Sequence, residues 1–121
     1  MTKRSAGQRV QQADFPIEYY AEGARLPQRQ RTGLESRLRK LASRHRDISG
    51  ASIAVELVSG DNRRAEYRAR LVLYCKPANI AATHKSHSVT EAATEAMEAV
   101  ERQMRSQRER MRERSRAQRA S

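Results

Sequence analysis

Phe15, Ile17 and Tyr19 alternate with Pro16, Glu18 and Tyr20, and the alternation stops at Gly23. A period of two predicts a strand with one buried face. Pro16 has no N–H to give to a ladder, so this strand starts at or near a sheet edge. Between Pro27 and Arg46 the period lengthens: Leu34, Leu38, Leu41, Ala42 and His45 share one helical face, while Arg37, Arg39, Lys40, Arg44 and Arg46 take the others. That spacing predicts an amphipathic helix with a basic outer surface. Two starts compete for it, Pro27 at a first helical position and Thr32 with Glu35 as a capping box.

The period then returns to two. Ile53, Val55 and Leu57 alternate with Ala54 and Glu56; Ser59-Gly60-Asp61-Asn62 reads as a turn; Tyr67, Ala69, Leu71, Leu73 and Cys75 then alternate with Glu66, Arg68, Arg70, Val72 and Tyr74. This is a hairpin with one dry face. A turn at Pro77-Ala78-Asn79 leads to a short fourth strand, Ile80 to Thr83. Ser88 and Glu91 form a capping box for a last helix, whose stripe of Val89, Ala93, Ala96, Met97, Val100, Met104 and Met111 holds one face for several turns. Glutamates fill its first half and arginines its second, in line with the helix dipole, and Glu98 with Arg102 and Glu101 with Arg105 stand at i,i+4. A strand of about eight residues is matched in length by about seventeen helical ones, so the helix outruns its sheet near Met104.

These elements predict an α+β fold, a β-α-β-β-β-α two-layer sandwich in which a four-stranded sheet carries both helices on one face. Residues 14–108 form the domain. Residues 1–13 have a single Val and read as a disordered basic arm, and 109–121 as a basic, arginine-rich tail.

Charge changes the picture from fold to partner. The chain holds 25 Lys+Arg against 14 Asp+Glu, a net +11, and the excess is concentrated in the arm, in Arg25 to Arg46 and in Arg102 to Arg119. Almost all of it is arginine, whose planar fork binds phosphate bidentately. A surface built this way attracts a polyanion, and nucleic acid is the expected partner. The candidate contacts are Arg37, Lys40 and Arg44 along one side of the first helix, Arg102, Arg105, Arg108 and Arg112 in the last, and Lys85 in the loop before it. Arg37 and Arg44 lie off the apolar face, so reversing their charge is expected to leave packing intact.

Several stretches resemble the ribosome hibernation-promoting factor and ribosome-associated inhibitor A family. They are Pro16-Ile17-Glu18 closing at Gly23, Leu38-Arg39-Lys40-Leu41, and Ala92-Ala93 followed by Ala99-Val100-Glu101-Arg102-Gln103-Met104, within a similarity running from Phe15 to Arg112. The resemblance implies a protein that occupies the messenger and transfer RNA channel of the small ribosomal subunit and keeps ribosomes silent. Its partners would be the small subunit and its rRNA, it would act as a monomer in the cytoplasm, and it would resemble the short form of the family. The segment His84-Lys85-Ser86-His87 departs from the acidic loop common in the family. A general structured-RNA-binding protein, similar in element order to a double-stranded-RNA-binding domain, is the alternative. An oligomeric scaffold that pairs through the open sheet face or the edge of the first strand is a third.

Other chemistry has little to stand on. One cysteine excludes an internal disulfide. Cys75 with His84 and His87 lacks a fourth zinc ligand at suitable spacing, and no metal or other cofactor is expected. No nucleophile–base pair, paired carboxylates or glycine-rich phosphate loop emerges, so no enzyme and no small-molecule substrate are expected. Tyr19 and Tyr67 fall on the core face and Tyr20 and Tyr74 on the other. His45 reads as a partly buried, hydrogen-bonded histidine. No apolar run suits a membrane span or a secretory signal.

Overall fold

Alternating apolar residues build a four-stranded sheet, and its neighbours in space follow chain order, β1-β2-β3-β4. The computed structural model describes residues 15–59 and 64–120. Its elements are β1 (Ile17–Glu22), α1 (Gln28–Arg44), β2 (Ile48–Ser59), β3 (Glu66–Cys75), β4 (Ile80–Ser86) and α2 (Val89–Ala120). The sequence of elements is the expected β-α-β-β-β-α sandwich. The basic arm and most of the turn read at Ser59-Gly60-Asp61-Asn62 lie outside the described residues.

The sheet is mixed. β1 runs parallel to β2, which requires the α1 crossover between them, and β2, β3 and β4 are antiparallel. Ala51, Ile53 and Val55 of β2 and Ala69, Leu71 and Leu73 of β3 point to the covered side and are almost wholly buried. Leu38 of α1 and Met97, Val100 and Met104 of α2 close over them. Each such side chain contributes about 1.5–3 kcal/mol by leaving water. Ala92, Ala93, Ala96 and Ala99 are buried too, and their small side chains let α2 lie close on β3 and β4. β1 ends at Gly23, whose φ of 72° is left-handed and whose Cβ, were there one, would stand 3.1 Å from the Leu57 Cβ.

The structure decides between the two starts of the first helix and extends two strands beyond their predicted limits. α1 starts at Gln28 behind Pro27, with no side-chain cap. Thr32 lies inside the helix, where it accepts a hydrogen bond from the Gln28 amide, and the Thr32–Glu35 box goes unused. β2 begins at Ile48, ahead of Ile53, with a register shift between Ile48 and Gly50. β4 continues through His84, Lys85 and Ser86, which pair with Ala69, Arg68 and Tyr67 of β3, so Lys85 stands on a strand. The polar side chains of that segment hid the strand; the ladder of a neighbour already in place supplies its backbone partners.

At the other end of the chain, α2 does open on the Ser88 cap, which accepts from the Glu91 N–H at 3.2 Å. The return half of the box is relayed: Glu91 accepts from the Ser86 hydroxyl, which in turn accepts from the Ser88 N–H. Met104 is the last side chain of α2 to be buried. The helix nevertheless continues through 109–120, the segment read as a tail.

Candidate nucleic-acid interface

The two helices lie side by side in the same direction, because Arg37 meets Glu101 and, further along both, Asp47 meets Arg108. Arg37 holds Glu101 with two bonds, Nη2 to Oε1 at 2.6 Å and Nε to Oε2 at 3.2 Å. Arg108 donates from Nη2 to Asp47, just past the end of α1. Both pairs are less than two-fifths exposed. Around the second, Asp47 Oδ2 and Arg108 Nε are buried with no partner among the described residues. His45 sits beside them and titrates below 6.5, first because it is partly buried and then because of the Arg108 charge. Its ring makes no hydrogen bond among the described residues, contrary to the expectation for it.

These pairs sort the candidate contacts. Lys40 and Arg44 of α1, and Arg102, Arg105 and Arg112 of α2, are exposed and have no ion partner among the described residues. Arg37 and Arg108 reach the same layer but are held by carboxylates. Sequence reasoning missed Glu101 and Asp47 as their partners, since i,i+4 spacing aims Glu101 at Arg105 within its own helix. With Glu101 turned to α1, Arg105 is left uncompensated. The expectation that charge reversal at Arg37 spares packing is corrected here: it would set two carboxylates against each other between the helices. Arg39, also basic by sequence, is tied with Arg31 to Glu35. A groove of about 1060 Å³ runs between α1 and the start of β2, past Arg39, Lys40, Arg46 and Ser49.

Lys85 lies apart from this layer. It is exposed, and alternation places it with Ala81 and Thr83 on the open face of β4, whereas Ile80 and Ala82 are buried beneath α2. On the same open face a depression of about 870 Å³ is lined by Tyr20, Glu22, Glu56, Arg68, Arg70 and Thr83, among others. Glu56 binds Arg68 at 2.6 Å, so charge there is largely balanced. Tyr20 is 56% exposed, and neighbouring Glu18 raises its hydroxyl above the ordinary value of 10.0. The Tyr74 hydroxyl donates to Glu18 at 3.4 Å. Tyr19 packs toward the core instead, accepting the Leu26 N–H at 2.9 Å under the Arg31 guanidinium, 4.0 Å from its ring.

The residues considered for zinc are not brought together. Cys75 stands at the far end of β3 from Ala69, the partner of His84, about 20 Å away along the strand. Burial raises its thiol above 9.0. His84 faces Glu95 at 3.7 Å, and His87 Nδ1 lies 3.0 Å from the Ala65 carbonyl. Among the described residues no group of three or more His, Cys, Asp or Glu is placed to hold a metal ion.

A one-sided α+β sandwich whose helix layer presents uncompensated cations, while its bare sheet face is nearly neutral, defines a class of binding module with a directional charge. Residues 17–112 match the Sigma 54 modulation protein / S30EA ribosomal protein family, and the chain belongs to it. Its fold is similar to a ribosomal subunit interface protein from Coxiella burnetii, at a TM-score of 0.61 and 16% identity over 78% of this chain and 98% of that one. It is also similar to the N-terminal domain of Thermus thermophilus Protein Y, at a TM-score of 0.57 and 18% identity over 74% and 94% of the two chains. None of the curated proteins matches the chain in sequence. Among the described residues no helix is long and apolar enough to cross a membrane.

Proposed function

We propose that this chain is a hibernation-type factor that lays its helix layer on the rRNA of the small ribosomal subunit and excludes messenger and transfer RNA by occupancy. The observation that carries the reading is the set of exposed, uncompensated cations shared by α1 and α2: Lys40, Arg44, Arg102, Arg105 and Arg112. Membership of a family that includes a ribosomal protein supports the choice of RNA, as does the name of the Coxiella relative. Arg37 and Arg108 join them as positioned donors. A guanidinium carries five N–H groups, so one engaged with a carboxylate still has donors to turn toward a phosphate. Contacts of this kind supply affinity and register, and the RNA is selected by shape. Lys85, on the opposite face, would serve a separate strand of RNA. The work is binding, with no chemical step, by a monomer that follows ribosomes in the cytoplasm.

The test is Lys40→Glu with Arg44→Glu, two exposed positions whose reversal does not touch the Arg37–Glu101 pair. The variant is expected to melt with the wild type, to lose co-sedimentation with vacant small subunits and to stop suppressing a purified translation system. Wild-type affinity is expected to fall with salt at a logarithmic slope of about 0.7–0.9 per phosphate contacted. A folded variant that still binds subunits and still suppresses translation removes the helix layer as the contact. Equal binding of the wild type to all structured RNA would favour the general RNA-binding alternative.

A further inference from the structure

Beyond Met104, its last buried side chain, α2 runs on for residues 105–120, a length of about 24 Å. This half carries Arg105, Arg108, Arg110, Arg112, Arg114, Arg116 and Arg119 against Glu109 and Glu113. Only Arg108 is in an ion pair among the described residues.

Their placement around the helix is uneven. With each residue turning about 100°, Arg105, Arg108, Arg112, Arg116 and Arg119 fall within an arc of about 80° and form one row. Arg110 and Arg114 stand about 180° from the middle of that row. The two sides between the rows differ. One holds Met111 and Ser115, uncharged; the other holds Glu109 and Glu113.

A single row of cations suits one phosphate strand. Two opposed rows with an uncharged side between them suit the two phosphate walls of a groove. We infer that the free half of α2 is a second RNA site, which lies in a groove of double-helical RNA with Met111 and Ser115 toward the base pairs, the arginine rows on the walls and the glutamates outward. The inference rests on the RNA-binding reading above and adds to it a contact of defined shape, which shares Arg105, Arg108 and Arg112 with the helix layer and extends it through Arg110, Arg114, Arg116 and Arg119. Residues 105–120 contain no aromatic side chain to act as a stacking platform for a single strand. An α-helix with side chains is about 10–12 Å across, whereas the deep groove of regular A-form RNA is narrow. The fitting place is therefore one where a bulge opens the groove. The Arg108–Asp47 pair lies at the base of the longer row and sets its direction relative to α1.

The experiment uses the full chain and three double variants, Arg110→Glu/Arg114→Glu, Arg116→Glu/Arg119→Glu and Glu109→Arg/Glu113→Arg. The probes are an RNA hairpin of about 16 base pairs with a central bulge, in the size range that compact RNA-binding domains span, and a single strand of the same length. The wild type is expected to prefer the bulged hairpin. Each arginine double should weaken hairpin binding at least tenfold, with the melting temperature unchanged because every position lies past the last core residue. The glutamate double should gain little, since its side faces solvent. A loss from one row only, equal binding of both RNAs, or a gain at the glutamates as large as the losses would overturn the groove geometry. The Lys40/Arg44 variant keeps the two readings apart. If it loses small subunits while the row variants bind the hairpin like wild type, this inference alone fails. If the rows matter and it still binds subunits, the occupancy reading alone fails.

Discussion

The two halves of α2 form one unbroken helix for different reasons. From Val89 to Met104 nearly every apolar position is buried, and the sheet holds the helix in place. From Arg105 onward the side chains are mostly exposed, with even Met111 38% open to solvent, and the turns rest on intrinsic propensity and on the helix they continue. Arginine, glutamine, glutamate and methionine are good helix formers, but arginines at i,i+4, such as Arg108 with Arg112 and Arg110 with Arg114, repel. Packing makes the first half insensitive to its surroundings. The second half is left to respond to a polyanion, whose phosphates would relieve the repulsion between its arginines. On the proposed reading, one element would serve as scaffold at one end and as RNA contact at the other.

The largest contrast is expected in amide exchange. In the protein alone, amides of Ala96 to Met104 should exchange only with global unfolding, while those after Arg112 open with a free energy near zero; the two limits are separated by most of the roughly 5–15 kcal/mol of a typical domain's stability. Protection after Arg112 equal to that of the core, without RNA present, would erase the distinction between the halves. Addition of a binding RNA should raise it.

Methionines sharpen the comparison next. Met97→Ala removes a wholly buried side chain from under the helix and should cost about 2–5 kcal/mol. Met111→Ala, on the same stripe beyond the sheet, should stay within about 0.5 kcal/mol. Urea denaturation of the two variants measures both. A similar cost at the two sites would mean that the distal half packs on something.

The smallest effect tests the joint between the halves. Arg108→Ala leaves the partly buried Asp47 without its partner and should destabilise by about 1–3 kcal/mol, whereas Arg110→Ala should be near neutral. In the same variant His45 should titrate closer to 6.5, because the Arg108 charge is the second cause, after burial, of its lowered value. An unmoved His45 resonance titration would show that the cluster is not electrostatically coupled.

Much of this protein was legible in its hydrophobic periods. The order of elements, the buried faces of β2 and β3, the stripe of α2 and the point near Met104 where packing ends follow from which positions are apolar, because burial of those positions is the main driving force of the fold. The excess of arginine on the helices was equally plain. Periods do not encode what lies opposite in space. β4 runs past Thr83 because β3 offers it a ladder, although His84, Lys85 and Ser86 advertise none. Lys85, adjacent in sequence to the last helix, lies on the open face of the sheet because alternation on a strand turns it there. Glu101 and Asp47, some sixty residues from their arginines, are tied to Arg37 and Arg108 only because the fold sets α1 beside α2. The sequence by itself determined how much positive charge the helix layer carries, since charge is a property of residues. Whether Arg37, Arg105 and Arg108 are compensated was decided by tertiary structure, since an ion pair between distant residues depends on distance across space, and distance across space is what folding creates.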